Sequence, residues 1–423
     1  MADRIYQAAR GTTDILPEEQ PYWRFVEKAI TEITRRYGYQ RIDTPTFEDT
    51  SLFVRGVGEG TDIVDKEMYT FDDKGGKSLT LRPEGTAPVC RAYIQHGMAN
   101  LPQPVKLYYL TRIFRYDRPQ AGRLREHHQF GCEAFGENDP SIDAEVIDMA
   151  WRFYRTLGLT GISLQLNSIG CKICRPAYLQ KLQDYYRQYA DQLCNDCKNR
   201  LEKNPLRLLD CKQASCQGFA QNAPRSAGAL CPDCADHFTR VQTYLGLLDI
   251  PFTINHRLVR GLDYYTRTVF EVQPAAEGGQ SALGGGGRYD GLIEELGGKP
   301  TPGIGFGIGI ERVILNLKSQ NIKVPAPAPL QAFIACLGDP ARDAAVKLAA
   351  ELRRQGISAV ASAGGKSLKA QLRQANTLGA LYAVIIGEDE VKAGTVTLRQ
   401  MADARQETIA VDELPGRLIN DRG

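Results

Sequence analysis

The stretch from Arg112 to Glu133, RIFRYDRPQAGRLREHHQFGCE, carries five arginines in 22 residues. A guanidinium keeps its proton and offers a planar fork that grips phosphate or carboxylate through paired hydrogen bonds. The arginines outnumber the local acids, so the segment reads as a cradle for an anion. By the alternation of a strand, Gln129, Gly131 and Glu133 share one face. There they could hold the neutral or cationic part of a small substrate. A solvated hairpin, its arginines paired with Asp117 and Glu126, would account for the same composition. His127 and His128 alternate along the strand, so one of them faces away, and both read as structural.

Three further segments carry chemistry-bearing residues. LVRGLDYYTRTVFE (258–271) sets Arg260 beside Asp263, Tyr264 and Tyr265. That suits a polar pocket with aromatic walls, or equally a turn at Gly261 followed by cross-strand tyrosines. ALGGGGRYDGLIEELGG (282–298) has four consecutive glycines but no closing GKS or GKT, so it is not a P-loop. The run lets backbone approach a ligand, or forms a flexible loop. PGIGFGIGIERV (302–313) alternates glycine with apolar residues. Glycines on one strand face leave room for a flat group such as a purine, and Arg312 could reach a phosphate. A tightly packed strand–helix junction would use the same glycines.

Eight of the 11 cysteines fall in one region: Cys171 and Cys174, Cys194 and Cys197, Cys211 and Cys216, Cys231 and Cys234. Three of these pairs are CxxC, a spacing typical of structural zinc. Eight thiolates suit two four-cysteine sites, with the pairing left open; buried or redox-labile thiols are the alternative. Cys90, Cys132 and Cys336 read as small buried hydrophobes.

The elements that must position these residues follow from hydrophobic period. A helix is expected over 17–37, opened by Asp14 or Pro17 and stopped by Gly38. A strand over 39–48 contains Pro45 and therefore belongs at an edge or interface. Further strands fit SLTLRPE, KLYYLTRIFRY, REHHQFGCEAFG, SLQLNSI, TINHRLVRG, TRTVFEVQP and GIGFGIGIERV. SIDAEVIDMAWRFYRTLG reads as a helix capped by Ser141 or Asp143. Sequential strands with few helices between them predict an α+β fold around a mostly antiparallel sheet flanked by helices. Residues 171–240 interrupt it as a Cys-rich insertion. After the spacer VPAPAP (324–329), a βαβαβ rhythm predicts a separate C-terminal α/β domain with parallel strands.

The chain of 423 residues is near neutral, with 52 basic and 50 acidic side chains, so a polyanion must meet a local patch. MADRIYQAARGTTDILPEEQ has no apolar core of a signal peptide, and no run of 18 apolar residues occurs. A cytoplasmic location, no membrane partner and no disulfides are expected.

Taken together, these segments resemble the histidyl-tRNA synthetases, a family of class II aminoacyl-tRNA synthetases. YGYQRIDTPTFE is similar to class II motif 1, TRIFRYDRPQAGRLREHHQFGCE to motif 2, and GIGFGIGIERV to motif 3. LRPEGTAP (81–88) and LVRGLDYYTRTVFE are similar to the more specific histidine-binding elements. The resemblance implies a class II synthetase-like catalytic core over 1–170 and 241–325, split by the insertion at 171–240. It implies an anticodon-binding-like domain over 326–423. It also implies ATP with Mg2+, L-histidine and tRNA(His) as substrates and partners, and a homodimer.

Site roles follow from the same resemblance. Arg115 and Arg260 would be catalytic, gripping the α-phosphate from opposite sides. Arg312 and Arg123 would hold the γ-phosphate. Glu84, Thr86 and Gln129 would hold the α-amino group, Gly85 would also bind histidine, and Glu133, Tyr264 and Tyr265 would read the imidazole. Zinc is a departure from the family pattern. The regulatory subunit of ATP phosphoribosyltransferase resembles the same core, but typically lacks the C-terminal domain that is present here. A zinc-dependent RNA-binding protein would leave the arginines and Glu84 unexplained.

Overall fold

The computed structural model describes residues 6–58, 61–120, 122–274 and 282–420. Two compact units divide at the proline-rich spacer, Met1–Val324 and Pro325–Gly423.

The first unit contains eleven strands among its described residues. They are β1 (Gln40–Arg41), β2 (Phe47–Asp49), β3 (Tyr69–Asp72), β4 (Ser78–Leu81), β5 (Val105–Phe114), β6 (Glu126–Phe135), β7 (Ile162–Ser168), β8 (Phe252–Ile254), β9 (Thr266–Pro274), β10 (Gly284–Arg288) and β11 (Gly303–Gly309). Eight form one sheet in the order β1-β5-β6-β11-β10-β9-β7-β8, and β2-β4-β3 form a small second sheet. The large sheet is antiparallel except for the edge pairs β1–β5 and β7–β8.

Strand alternation gives the large sheet two unlike faces. Phe130, Cys132, Ile304, Phe306, Ile308 and Phe270 point toward the helices Gln20–Arg36 and Pro140–Thr156, where they pack with Ile30, Ile147 and Phe153. The residues between them point the other way, and many are glycine. One rung across five strands reads Tyr109, Gly131, Gly307, Gly285, Glu271. Three glycines abreast leave a bare strip of backbone in the middle of a sheet. The four-glycine run is thus the central strand β10, not a loop.

Several expected boundaries move, each for a local reason. The strand expected over 39–48 is two strands in different sheets. Pro45 cannot donate to a ladder, and Arg82 takes up the carbonyls of Thr44 and Pro45 at 2.8 and 3.0 Å in the bend between them. The strand expected from TINHRLVRG pairs only over Phe252–Ile254. Asn255 then folds the chain back, its side chain accepting from the Arg257 amide at 3.1 Å. The resulting loop carries Arg260. The first helix starts after Glu19, not at Asp14 or Pro17. The helix Pro140–Thr156 is capped by Asp139, whose carboxylate accepts from Ser141 N at 2.8 Å. Asp143 is instead buried, bonded to Arg288 Nε at 2.7 Å and His237 Nε2 at 2.8 Å.

The second unit is a five-stranded sheet of β12 (Ala332–Cys336), β13 (Ala359–Ala361), β14 (Tyr382–Ile386), β15 (Thr395–Gln400) and β16 (Gln406–Ala410), in the order β13-β12-β14-β15-β16. The first three strands are parallel, and an antiparallel hairpin that the pattern did not predict completes the sheet.

Candidate active site

The glycine-lined face carries a carboxyl at one end. Glu133 is buried, and its Oε1 accepts from Thr86 Oγ1 at 2.9 Å and Tyr109 OH at 3.0 Å. Its Oε2 accepts from Tyr289 OH. Burial pushes the carboxyl up to about 8 despite these three hydroxyl donors. Glu84 stands just before the helix Thr86–Gln95, next to its N-cap Gly85, and accepts from the amides of Thr86 at 2.7 Å and Ala87 at 2.6 Å. Burial raises its carboxyl too, and those amides oppose the rise. Tyr264 OH lies 3.5 Å from Glu84, and the rings of Tyr264 and Tyr265 meet at 4.7 Å. Gly85 contributes room: a methyl group there, or on Gly131, would strike the Tyr109 ring. Gln129 lies along the bare backbone of Gly307, and a methyl group on that glycine would sit 2.6 Å from its amide nitrogen.

The arginines gather near the other side of the strip. Arg115 donates its Nε to the Pro83 carbonyl at 2.7 Å. Arg312 is held by two carbonyls, Gly122 and Ala282, each at 2.8 Å. Burial lowers its guanidinium, and Arg123 and Arg115 lower it further, while Glu271 opposes them. Glu271 also pairs with Arg260 at 3.5 Å. Arg260 lies over Gly285, and its Nε is buried with no hydrogen-bond partner. Burial works against its charge, but Glu271 and the two tyrosines outweigh this and raise it. Arg260 and Arg312 share the neighbourhood of Glu271, and Arg123 and Arg115 add positive charge beside Arg312, which leaves positive charge in want of an anion.

Not every arginine of the hairpin is available. Arg123 pairs with Asp117 and, at 3.9 Å, with Glu67, and Arg112 pairs with Glu126 at 3.1 Å. The two histidines part company. His128 lies on the helix side, bonded to Glu311 at 2.8 Å and edge-on to Trp23. His127 shares the face of Gln129; burial, then Arg115 and Arg312, push its imidazole down to about 3. It stays neutral beside the guanidinium groups.

A buried carboxyl ringed by hydroxyls at one end and a set of guanidinium groups at the other fit a small zwitterion joined to a polyphosphate. A family model described as histidyl-tRNA synthetase matches residues 11–313, and one described as anticodon binding domain matches 331–421. The chain belongs to the histidyl-tRNA synthetase family. A histidine–tRNA ligase from Dehalococcoides mccartyi is 62% identical over 97% of this chain and 98% of its own length. One from Pelotomaculum thermopropionicum is 52% identical, with 95% of each chain covered. The crystal structure of the apo S. aureus histidyl-tRNA synthetase superposes with a TM-score of 0.82 at 39% identity, covering 98% of this chain and all of that one.

Three residues of this candidate site are given no role by the motifs the sequence points to: Tyr109, Tyr289 and Glu271. Tyr109 had a readable signal, since a large ring set opposite Gly131 needs a neighbour without a side chain. Tyr289 had none, standing 156 positions from the carboxyl it bonds. The eight insertion cysteines gather into two quartets.

Proposed function

We propose that this chain charges tRNA(His) with L-histidine at the expense of ATP, through a histidyl-adenylate, releasing pyrophosphate and AMP. The carrying observation is Glu133: a buried carboxyl ringed by Thr86, Tyr109 and Tyr289, across a glycine floor from Arg260 and Arg312. An imidazole placed there can donate one ring N–H to the carboxyl, with Tyr264 and Tyr265 as walls. An apolar amino acid would leave the carboxyl and hydroxyls unpaired, a penalty that supports discrimination of roughly 10⁴–10⁵. Glu84, Thr86 and Gln129 receive the α-ammonium.

The reaction joins two anions. The histidine carboxylate attacks the α-phosphorus, the bond to pyrophosphate breaks, and charge grows on the α-phosphoryl oxygens. Arg115 and Arg260 lower the repulsion and stabilise that charge. Arg312 and, once it leaves its carboxylates, Arg123 bind the γ-phosphate. No side-chain nucleophile is required. The tRNA 3′-terminal hydroxyl then takes the histidyl group, and AMP leaves.

Glu271, which pairs with Arg260 at 3.5 Å, would help hold the Mg2+ that accompanies ATP. When bound, that ion neutralises phosphate charge. We read the cysteine quartets as sites of structural Zn2+. The C-terminal unit would bind the anticodon; residues 330–423 carry 12 basic and 11 acidic side chains, so a local patch must do this. The motif 1 strand β1 at the sheet edge, with exposed Phe47 and Phe71 on the small sheet, supports a homodimer. Among the described residues no helix is long and apolar enough to cross a membrane.

Histidine-dependent ATP–pyrophosphate exchange tests this reading. A protein that binds histidine yet never exchanges pyrophosphate would be a non-catalytic relative, and the proposal would fall.

A further inference from the structure

The insertion's eight thiols form two groups of four: Cys171, Cys174, Cys231 and Cys234, and Cys194, Cys197, Cys211 and Cys216. Within each group all sulfurs lie within 4.8 Å of one another. The Cys171–Cys174, Cys171–Cys231 and Cys194–Cys211 sulfurs are 3.8, 3.9 and 3.9 Å apart. A disulfide needs about 2.05 Å. Four thiolates at the usual zinc–sulfur length of about 2.3 Å form a tetrahedron whose edges are about 3.8 Å. The spacing is therefore that of a closed, four-coordinate metal site.

Helix geometry favours thiolates in both groups. Cys174 and Cys231 are the N-cap residues of the helices Arg175–Arg187 and Pro232–Leu247, and Cys194 is that of Asn195–Lys203. A helix N-terminus favours negative charge, and so lowers the cost of gathering sulfur anions.

Each group also sits directly behind a contact with the loop that carries Arg260. Arg175 follows Cys174, and its Nη1 donates to the Tyr265 carbonyl at 2.9 Å. The second quartet closes the segment holding Asn204, whose amide donates to Asp263 at 2.5 Å, and Arg207, whose Nη1 would lie 3.4 Å from a methyl group on Gly261. The first quartet joins the two ends of the insertion, where Gly170 also accepts the Arg267 amide at 2.8 Å. Loop residues 261–265 are thus gripped from the insertion side at both ends.

We propose that the insertion binds two zinc ions, one in each quartet, and that these centres fix Arg175 and Asn204 against the loop bearing Arg260, Tyr264 and Tyr265. Arg175 and Asn204 are positioning residues. The coupling half of this inference rests on the reading of that loop as part of the histidine site; the metal half does not.

Elemental analysis of the purified full-length chain should find two zinc ions, with one remaining in Cys171→Ser/Cys174→Ser and one in Cys194→Ser/Cys197→Ser. Cobalt reconstitution of the unaltered chain should give the charge-transfer and tetrahedral ligand-field bands of thiolate-bound Co2+. No stoichiometric zinc, iron in its place, or no thiolate–cobalt bands would overturn the metal assignment. Arg175→Ala and Asn204→Ala keep every thiol and should retain both ions. In pyrophosphate exchange each should raise the KM for histidine by roughly tenfold, the scale of a small misplacement of binding groups. Full zinc with an unchanged KM in both variants would overturn the coupling. If the unaltered chain showed no exchange at all, the synthetase reading would fail instead, and the zinc count would still decide the centres.

Discussion

Gly305 stands directly opposite Glu133 in the antiparallel pairing of β11 and β6, and a methyl group on Gly305 would lie 2.0 Å from Glu133 Oε2. That oxygen already accepts from Tyr289, and neither neighbour has free space to move into. Gly305→Ala should therefore displace the carboxyl. A loss of about 1–3 kcal/mol in stability is expected from overpacking. The KM for histidine should rise while that for ATP changes little. Thermal unfolding and exchange kinetics with each substrate varied check both parts; an equal rise in the two KM values would contradict the assignment.

The same carboxyl should impose a pH dependence. Its folded pKa of about 8 lies above the unfolded value of about 4.3. Its contribution to stability is fully present below the unfolded value and is lost as pH rises toward 8, because folding holds the proton. Glu133→Gln cannot ionise, so its stability relative to the unaltered chain should increase from pH 5 to pH 8 and then level off. Urea unfolding at several pH values reads this. Above pH 8, where the carboxyl is ionised, the variant should also bind histidine roughly 10–100-fold more weakly, the scale of a lost charge-assisted hydrogen bond.

Arg260 is expected to act on the barrier. Its Nε is buried without a partner, while Glu271 holds the opposite side of the fork at 3.5 Å. A preorganised cation aimed at developing charge contributes ~3–4 kcal/mol. Arg260→Gln should lower kcat for pyrophosphate exchange by about 10²–10³-fold, with the histidine KM changed far less. Arg123→Ala should be milder, because this guanidinium is already paired with Asp117 and Glu67. Equal losses of kcat in the two variants would refute this ranking.

Much of this site could be read from residue order because strand alternation is local. Gln129, Gly131 and Glu133 fall on one face by period two, and the glycines of GIGFGIGI on one face by the same rule. Residues brought together by topology carry no such mark. Tyr289 reaches Glu133 only because β11 enters the sheet beside β6 and β10 beside β11, long after β6 in the chain. The four-glycine run was ambiguous for a related reason. Without side chains it has no alternation, and only its neighbours reveal that Gly286 lies so close to the Gly305 carbonyl that no Cβ would fit. A proline can sit at a strand edge, so Pro45 reads as part of one strand; in the fold it marks the passage between two sheets.

Affinity for tRNA should depend on salt. The C-terminal unit is nearly balanced in charge, so any RNA contact is a patch of few cations, each releasing counterions on binding. Binding measured from low to moderate salt should weaken steadily on a log–log plot. An affinity indifferent to salt would rule out phosphate contacts as its source.

The buried Arg288 offers a stability test independent of substrate. Its side chain has no solvent exposure, and it bonds Asp143 at 2.7 Å, Asp290 at 2.9 Å and the Glu137 carbonyl at 2.8 Å. Asp143 also bonds His237, on the helix that leaves the insertion. Removing one member of such a network leaves charge buried without its partner, at a cost of about 3–5 kcal/mol. Asp143→Ala should show that loss in chemical denaturation. Asp143→Ala with Arg288→Met, which removes both charges and keeps apolar volume, should recover much of it. If the double variant is no more stable than the single, the penalty comes from lost packing, not from the unpaired guanidinium.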